Sequence, residues 1–95
     1  MAITLLFEPK AGADLKYDSI MKDMKDQGIF PPEGMTYHVA SGAGVDFKVF
    51  EVWESEQQAR KFGERLKPIL QKHKIELSSE PRPQPVKNTI KGKSL

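Results

Sequence analysis

The chain contains no cysteine, so disulfides, thiolate nucleophiles and thiolate metal sites are excluded together. It has one tryptophan, Trp53, one asparagine, Asn88, and two histidines, His38 and His73. Neither histidine has a second ligand at a metal-site spacing, so the sequence points to no structural metal and to no cofactor. No apolar run approaches the roughly 18 residues of a membrane span. The opening "MAITLLFEPK" has no basic region ahead of its short apolar run. The expectation is a soluble cytoplasmic protein with no membrane partner. Neither sign of charge is in large excess: the formal charge is +2, with basic residues scattered over the chain. Such scatter describes a solvated surface and not a nucleic-acid footprint. Glycine-rich phosphate loops and serine nucleophile motifs are missing as well.

What remains is a 95-residue chain, 38% hydrophobic, with five phenylalanines and two tyrosines beside Trp53. That supports one small folded domain, read as residues 1–90 with a frayed tail over 91–95. Ile3 to Glu8 form an almost continuous apolar run closed by Pro9 and Gly12, which reads as a buried strand. From Ala13 the period changes. Tyr17, Ile20, Met21 and Met24 recur at helical spacing among lysines and aspartates, and Gly28 ends the pattern. "GIFPPEG" is a turn-rich connection. Two strands follow, about Met35 to Ser41 and about Val45 to Trp53, around a glycine hairpin loop at Gly42 and Gly44. Ser55 with Gln58 gives a capping-box spacing, and Ala59, Phe62, Leu66, Ile69, Leu70 and His73 make the stripe of a second helix. Pro68 predicts a kink or a fresh short helix there. Alternate prolines at 81, 83 and 85 predict an extended segment leading to an edge strand over Val86 to Ile90.

The order strand, helix, strand, strand, helix, strand is that of ferredoxin-like α+β domains, with a four-stranded antiparallel sheet whose first and third strands are central. "ITLLF" and "FKVFEVW" are also the most apolar strands. Two helices cover only one face of the sheet, yet alternation sends Leu6, Phe50 and Val52 to the face opposite Ile3, Leu5, Phe7, Phe47, Val49 and Trp53. A soluble monomer seldom leaves such a patch in water, so a homodimer is expected, the alternative being a C-terminal segment folded over that face.

Chemistry centres on the hairpin. With an even loop, for example Ala43–Gly44 with Gly42 opposite Val45, His38 lies opposite Val49 and shares a face with Glu51 and Trp53. An imidazole and a carboxylate on an apolar surface make a candidate general base tuned by its neighbour. An odd loop separates them. The plainer readings are a sheet-bonded or interfacial His38, a rim ion pair for Glu51, a packed Tyr37 and a core Trp53. His73, flanked by Lys72 and Lys74, is read as exposed or placed against the dipole of its helix C-terminus.

At "VFEVWESEQQARKFGERLKPIL", with "YHVA" before it and "PVKN" after it, the chain resembles the dimeric α+β barrel superfamily, most of all its small antibiotic-biosynthesis-monooxygenase-like members. The likeness spans Ala2 to Ile90. It implies a homodimer with sheets packed face to face and, in each subunit, a cavity between sheet and helices with Trp53 at its mouth or wall. Tyr37, Phe50, Phe62 and Met21 are then further candidates for contacting a small aromatic ligand. In the haem-degrading branch His73 would be the iron ligand, but the helix-borne tryptophan and the asparagine of that branch have no match here. Two readings of function result: a dimeric module that binds a small aromatic molecule without chemistry, and a cofactor-independent monooxygenase of aromatic polyketide or quinone-type substrates using His38 or Glu51 as base.

Overall fold

The computed structural model describes residues 1–93. The elements run β1 (Ile3–Phe7), α1 (Ala13–Asp26), β2 (Met35–Ser41), one turn of 3-10 helix (Gly44–Asp46), β3 (Lys48–Trp53), α2 (Glu56–Lys72) and β4 (Gln84–Pro85). The four strands form one antiparallel sheet in the order β2-β3-β1-β4, with β1 and β3 central as their apolar content requires. Both helices lie over one face. No helix among the described residues is long and apolar enough to cross a membrane.

Local chemistry sets the helix ends. At the end of α1, Gly28 adopts φ 70°, the Gly28 amide donates to the Lys25 carbonyl and the Ile29 amide to that of Met24. This is a Schellman closure, and its hydrophobic partners Met24 and Ile29 both enter the core. At the start of α2 the Ser55 hydroxyl accepts from the Gln58 amide at 3.2 Å and donates to the Gln58 side-chain oxygen at 2.9 Å. The cap forms, but Gln58 returns to the hydroxyl and not to the Ser55 amide as a full capping box requires. α2 continues unbroken through Pro68, contrary to the expected interruption. Pro68 lies on the exposed side of α2, where water can satisfy the carbonyl it leaves unbonded.

The core joins Ile3 and Trp53 from the sheet to Ile20, Met24, Phe62 and Ile69 from the helices. Burying such side chains is the main favourable term, about 1.5–3 kcal/mol each for the aliphatic ones. Asp23 ties the helix ends together, accepting from His73 Nε2 at 2.7 Å and from Lys72 Nζ at 3.1 Å. His73 is therefore half-buried and engaged, not free at the surface. Its own hydrogen bond and that of Lys72 hold the Asp23 carboxyl below its usual range. A lowered carboxyl stabilises the fold above its unfolded value and stops doing so as the pH falls through its folded value. The stability difference between the wild type and Asp23→Asn is thus expected in full above about pH 4 and to close below it, as read by urea unfolding across the acid range.

Two further sequence expectations need correction. β3 starts at Lys48, because residues 44–46 coil into the 3-10 turn and leave a loop of residues 42–47. Gly42 makes that loop possible, with φ 83° and the Asp46 carbonyl where a Cβ would sit. The edge strand is Gln84–Pro85, pairing with Thr4 and Ile3, and residues 86–90 carry no regular element. The last two residues of the expected tail, 94 and 95, lie outside the described residues.

The outer face of the sheet is open. Leu6, Phe50 and Val39 stand in cross-strand register at 42%, 41% and 50% exposure, with Tyr37 beside them at 54%. No described part of the C-terminal segment covers them.

Candidate functional site

Sheet register builds the site. His38 of β2 pairs directly with Glu51 of β3, and Trp53 follows on the same face. The loop is even, so the three do share a face, but its six residues move His38 two positions along β3 from the expected partner Val49.

Glu51 is 3% exposed and Trp53 1%. A buried carboxylate needs partners for its lone pairs, and Glu51 has them on both oxygens. Trp53 Nε1–H donates to Oε1 at 3.0 Å. His38 Nδ1 lies 2.8 Å from Oε2, and the Tyr17 hydroxyl lies 2.7 Å from His38 Nε2. Four side chains from α1, β2 and β3 thus form one hydrogen-bonded line, and no buried side-chain polar atom is left without a partner among the described residues. Indole only donates and an ionised carboxylate only accepts. With a neutral imidazole, His38 then carries its proton on Nδ1, and Nε2 accepts from Tyr17.

Aromatic rings fix the imidazole from several sides. Tyr17 stacks on it with centroids 6.0 Å apart, and Phe30 meets it edge-on at 5.4 Å. Burial pushes the Tyr17 hydroxyl above its usual range, with the Glu51 and Asp18 carboxylates adding to the effect, so it stays a phenol at neutral pH.

Tyr17, His38 and Glu51 edge a cavity of about 80 Å³ between sheet and helices, otherwise walled by apolar side chains such as Met21, Met24, Phe30, Phe62 and Leu66. An engineered cavity of about 150 Å³ holds benzene, so an aromatic ring enters this one only if the walls give. Met21 and Met24 are the side chains best able to swing aside. Trp53 does not line this cavity. Its indole packs on Phe62 at 5.6 Å and borders a second groove of about 530 Å³ between α2, β1 and residues 80–83.

Of the residues singled out from the sequence, His38, Glu51, Phe62 and Met21 meet at the cavity, and Trp53 stands behind it as the partner of Glu51. Tyr37 and Phe50 do not belong there. Each precedes a cavity residue in its strand, so alternation sends both to the open outer face. Sequence reasoning missed Tyr17, which sits on the apolar stripe of α1 four residues before Met21 and reads as core. His73 is not among the cavity residues.

No family model matches the chain, and no curated protein matches it. Solved structures do. A protein of unknown function from Nitrosomonas europaea is 18% identical, with a TM-score of 0.53, covering 99% of this chain and 93% of that one. A Chloroflexus aurantiacus protein described as a "putative Antibiotic biosynthesis monooxygenase" is 15% identical, with a TM-score of 0.54, covering 96% of this chain and 97% of that one. The likeness is one of fold over nearly the whole length, and it agrees with the antibiotic-biosynthesis-monooxygenase-like resemblance read from the sequence.

Proposed function

We propose that the chain binds a small aromatic molecule bearing an acidic proton and that His38, backed by Glu51, removes that proton. The observation that carries this reading is His38 itself, held between Tyr17 and a buried carboxylate at the rim of an apolar cavity. Glu51 orients the ring and stabilises the imidazolium formed when the proton arrives, while the apolar walls keep water from competing for it.

Proton removal alone serves an oxidation. A deprotonated hydroquinone passes two electrons to dioxygen and leaves as the quinone, with hydrogen peroxide as the other product. Monooxygenation starts from the corresponding carbanion of a different ring: an anthrone-type CH₂ loses a proton, one atom of dioxygen becomes its carbonyl oxygen and the other leaves as water. Neither route needs a cofactor, and the fold shared with the Chloroflexus protein is compatible with both. The second reading is a binding module without chemistry, favoured because a cavity this small leaves little room for dioxygen beside a bound ring.

Oxygen uptake with methylhydroquinone separates the two. The enzyme reading expects uptake above the uncatalysed rate and a fall of about a hundredfold or more in His38→Gln. Binding of the ring without any uptake supports the module, and uptake unchanged in His38→Gln removes the base from His38.

The working unit in this proposal is a homodimer. The row Val39, Phe50 and Leu6 carries no charge and is left uncovered by the described chain, both of which suit a second copy related by a two-fold axis.

A further inference from the structure

The line Tyr17–His38–Glu51–Trp53 has a direction, and the Glu51 carboxylate, which accepts at both oxygens, sets it. Trp53 cannot accept, so Glu51 Oε1 is committed to receiving its proton. The other oxygen, Oε2, receives from His38 Nδ1–H, which leaves Nε2 as a lone pair. Tyr17 is the remaining group within reach of that lone pair, and its one proton is used there. What Tyr17 has left for a ligand entering the cavity that it lines is oxygen without a proton.

We infer that Tyr17 contacts the ligand as a hydrogen-bond acceptor, and that the direction imposed by the Glu51 carboxylate makes the site select a ring hydroxyl over a ring ether or quinone oxygen. This rests on the cavity being the ligand site proposed above and names the ligand class it takes: phenols and hydroquinones. A hydroxyl donates to the Tyr17 oxygen as Tyr17 donates to His38, so the ligand's proton reaches Nε2 in two short transfers. The phenol is regenerated, the ligand becomes the anion, and the imidazolium stands beside Glu51. An ether or quinone oxygen in the same place meets an acceptor with an acceptor. The raised proton affinity of Tyr17 fits this role, since the group passes a proton on without remaining ionised.

The direction is reversible by one isosteric change. In Glu51→Gln the amide oxygen must still take the Trp53 proton, because the opposite flip sets two donors against each other. The amide nitrogen then donates to His38 Nδ1, the imidazole proton moves to Nε2, and the Tyr17 hydroxyl is released towards the cavity as a donor. A merely structural role for Glu51 would not exchange one ligand preference for the other.

The test uses phenol and its methyl ether, anisole, on the whole chain at a pH where imidazole nitrogen NMR shows His38 neutral. In the wild type the proton is expected on Nδ1, with phenol bound at least about tenfold more tightly than anisole. In Glu51→Gln it is expected on Nε2, with that preference lost or reversed. Wild-type His38 carrying its proton on Nε2, or equal binding of the two rings by the wild type, overturns the inference while leaving the ligand site standing. Failure of both rings to bind the wild type overturns the ligand site and this inference together. The wild-type spectra and affinities decide the matter even if Glu51→Gln folds poorly.

Discussion

Replacing Glu51 with alanine is expected to lower the free energy of unfolding by about 3–5 kcal/mol, within the span for two buried donors left without their acceptor. The loss has identifiable parts. Trp53 Nε1–H and His38 Nδ1–H both donate to this one carboxylate, and the indole is 1% exposed, so water cannot replace the missing acceptor. Each buried donor left alone costs about 1–3 kcal/mol. A domain of this size has roughly 5–14 kcal/mol of stability in all, so the variant sits near the edge of folding. Its midpoint should fall by roughly 12–24 °C at the low end of the loss, measured by calorimetry. Glu51→Gln keeps an acceptor for the indole and should lose clearly less. Equal losses in the two variants would contradict this account, because glutamine keeps both the side-chain volume and an acceptor for the indole.

Placing a charge at the centre of the outer face is the second large effect. Phe50 pairs with Leu6 on one side and Val39 on the other, so Phe50→Glu puts a carboxylate in the middle of the proposed contact between two copies. Two-fold symmetry brings the two new charges close together across the interface, and an unpaired interfacial charge costs several kcal/mol. The dimer should weaken by at least about a hundredfold. Sedimentation of the wild type at micromolar concentration is expected to give a dimer and Phe50→Glu a folded monomer. Phe50 is 41% exposed in the single chain, so the substitution should leave the inner core intact. A monomeric wild type under the same conditions would end the dimer proposal.

Much of this architecture was legible because it follows from two short periods. Helical spacing found Tyr17, Ile20, Met21 and Met24, and alternation along "FKVFEVW" placed Glu51 and Trp53 together and Phe50 opposite. The hairpin loop was legible in neither parity nor register. Both depend on a turn of 3-10 helix at Gly44–Asp46, and the glycines there suit a tight two-residue loop equally well. The edge strand was misplaced for a related reason: Val86 to Ile90 has strand composition, whereas a sheet edge accepts Pro85, whose missing amide costs nothing there. Tyr17 was hidden most deeply. A tyrosine on an apolar helical stripe is ordinarily core, and only the approach of His38 from β2, 21 positions later, gives its hydroxyl a task. Tyr37 attracted attention instead because it neighbours His38 in sequence, which in a strand means the opposite face.

The most direct measurement of whether His38 takes a proton from a ligand in the cavity is the absorbance spectrum of bound para-nitrophenol, recorded at a pH where the free probe is mostly protonated. The phenolate absorbs at longer wavelength than the phenol, so the bound state reports its own charge. The expected result is a phenolate spectrum on the wild type that His38→Gln loses. A wild-type complex that retains the phenol spectrum, or a His38→Gln complex as ionised as the wild type, would contradict a proton-accepting His38.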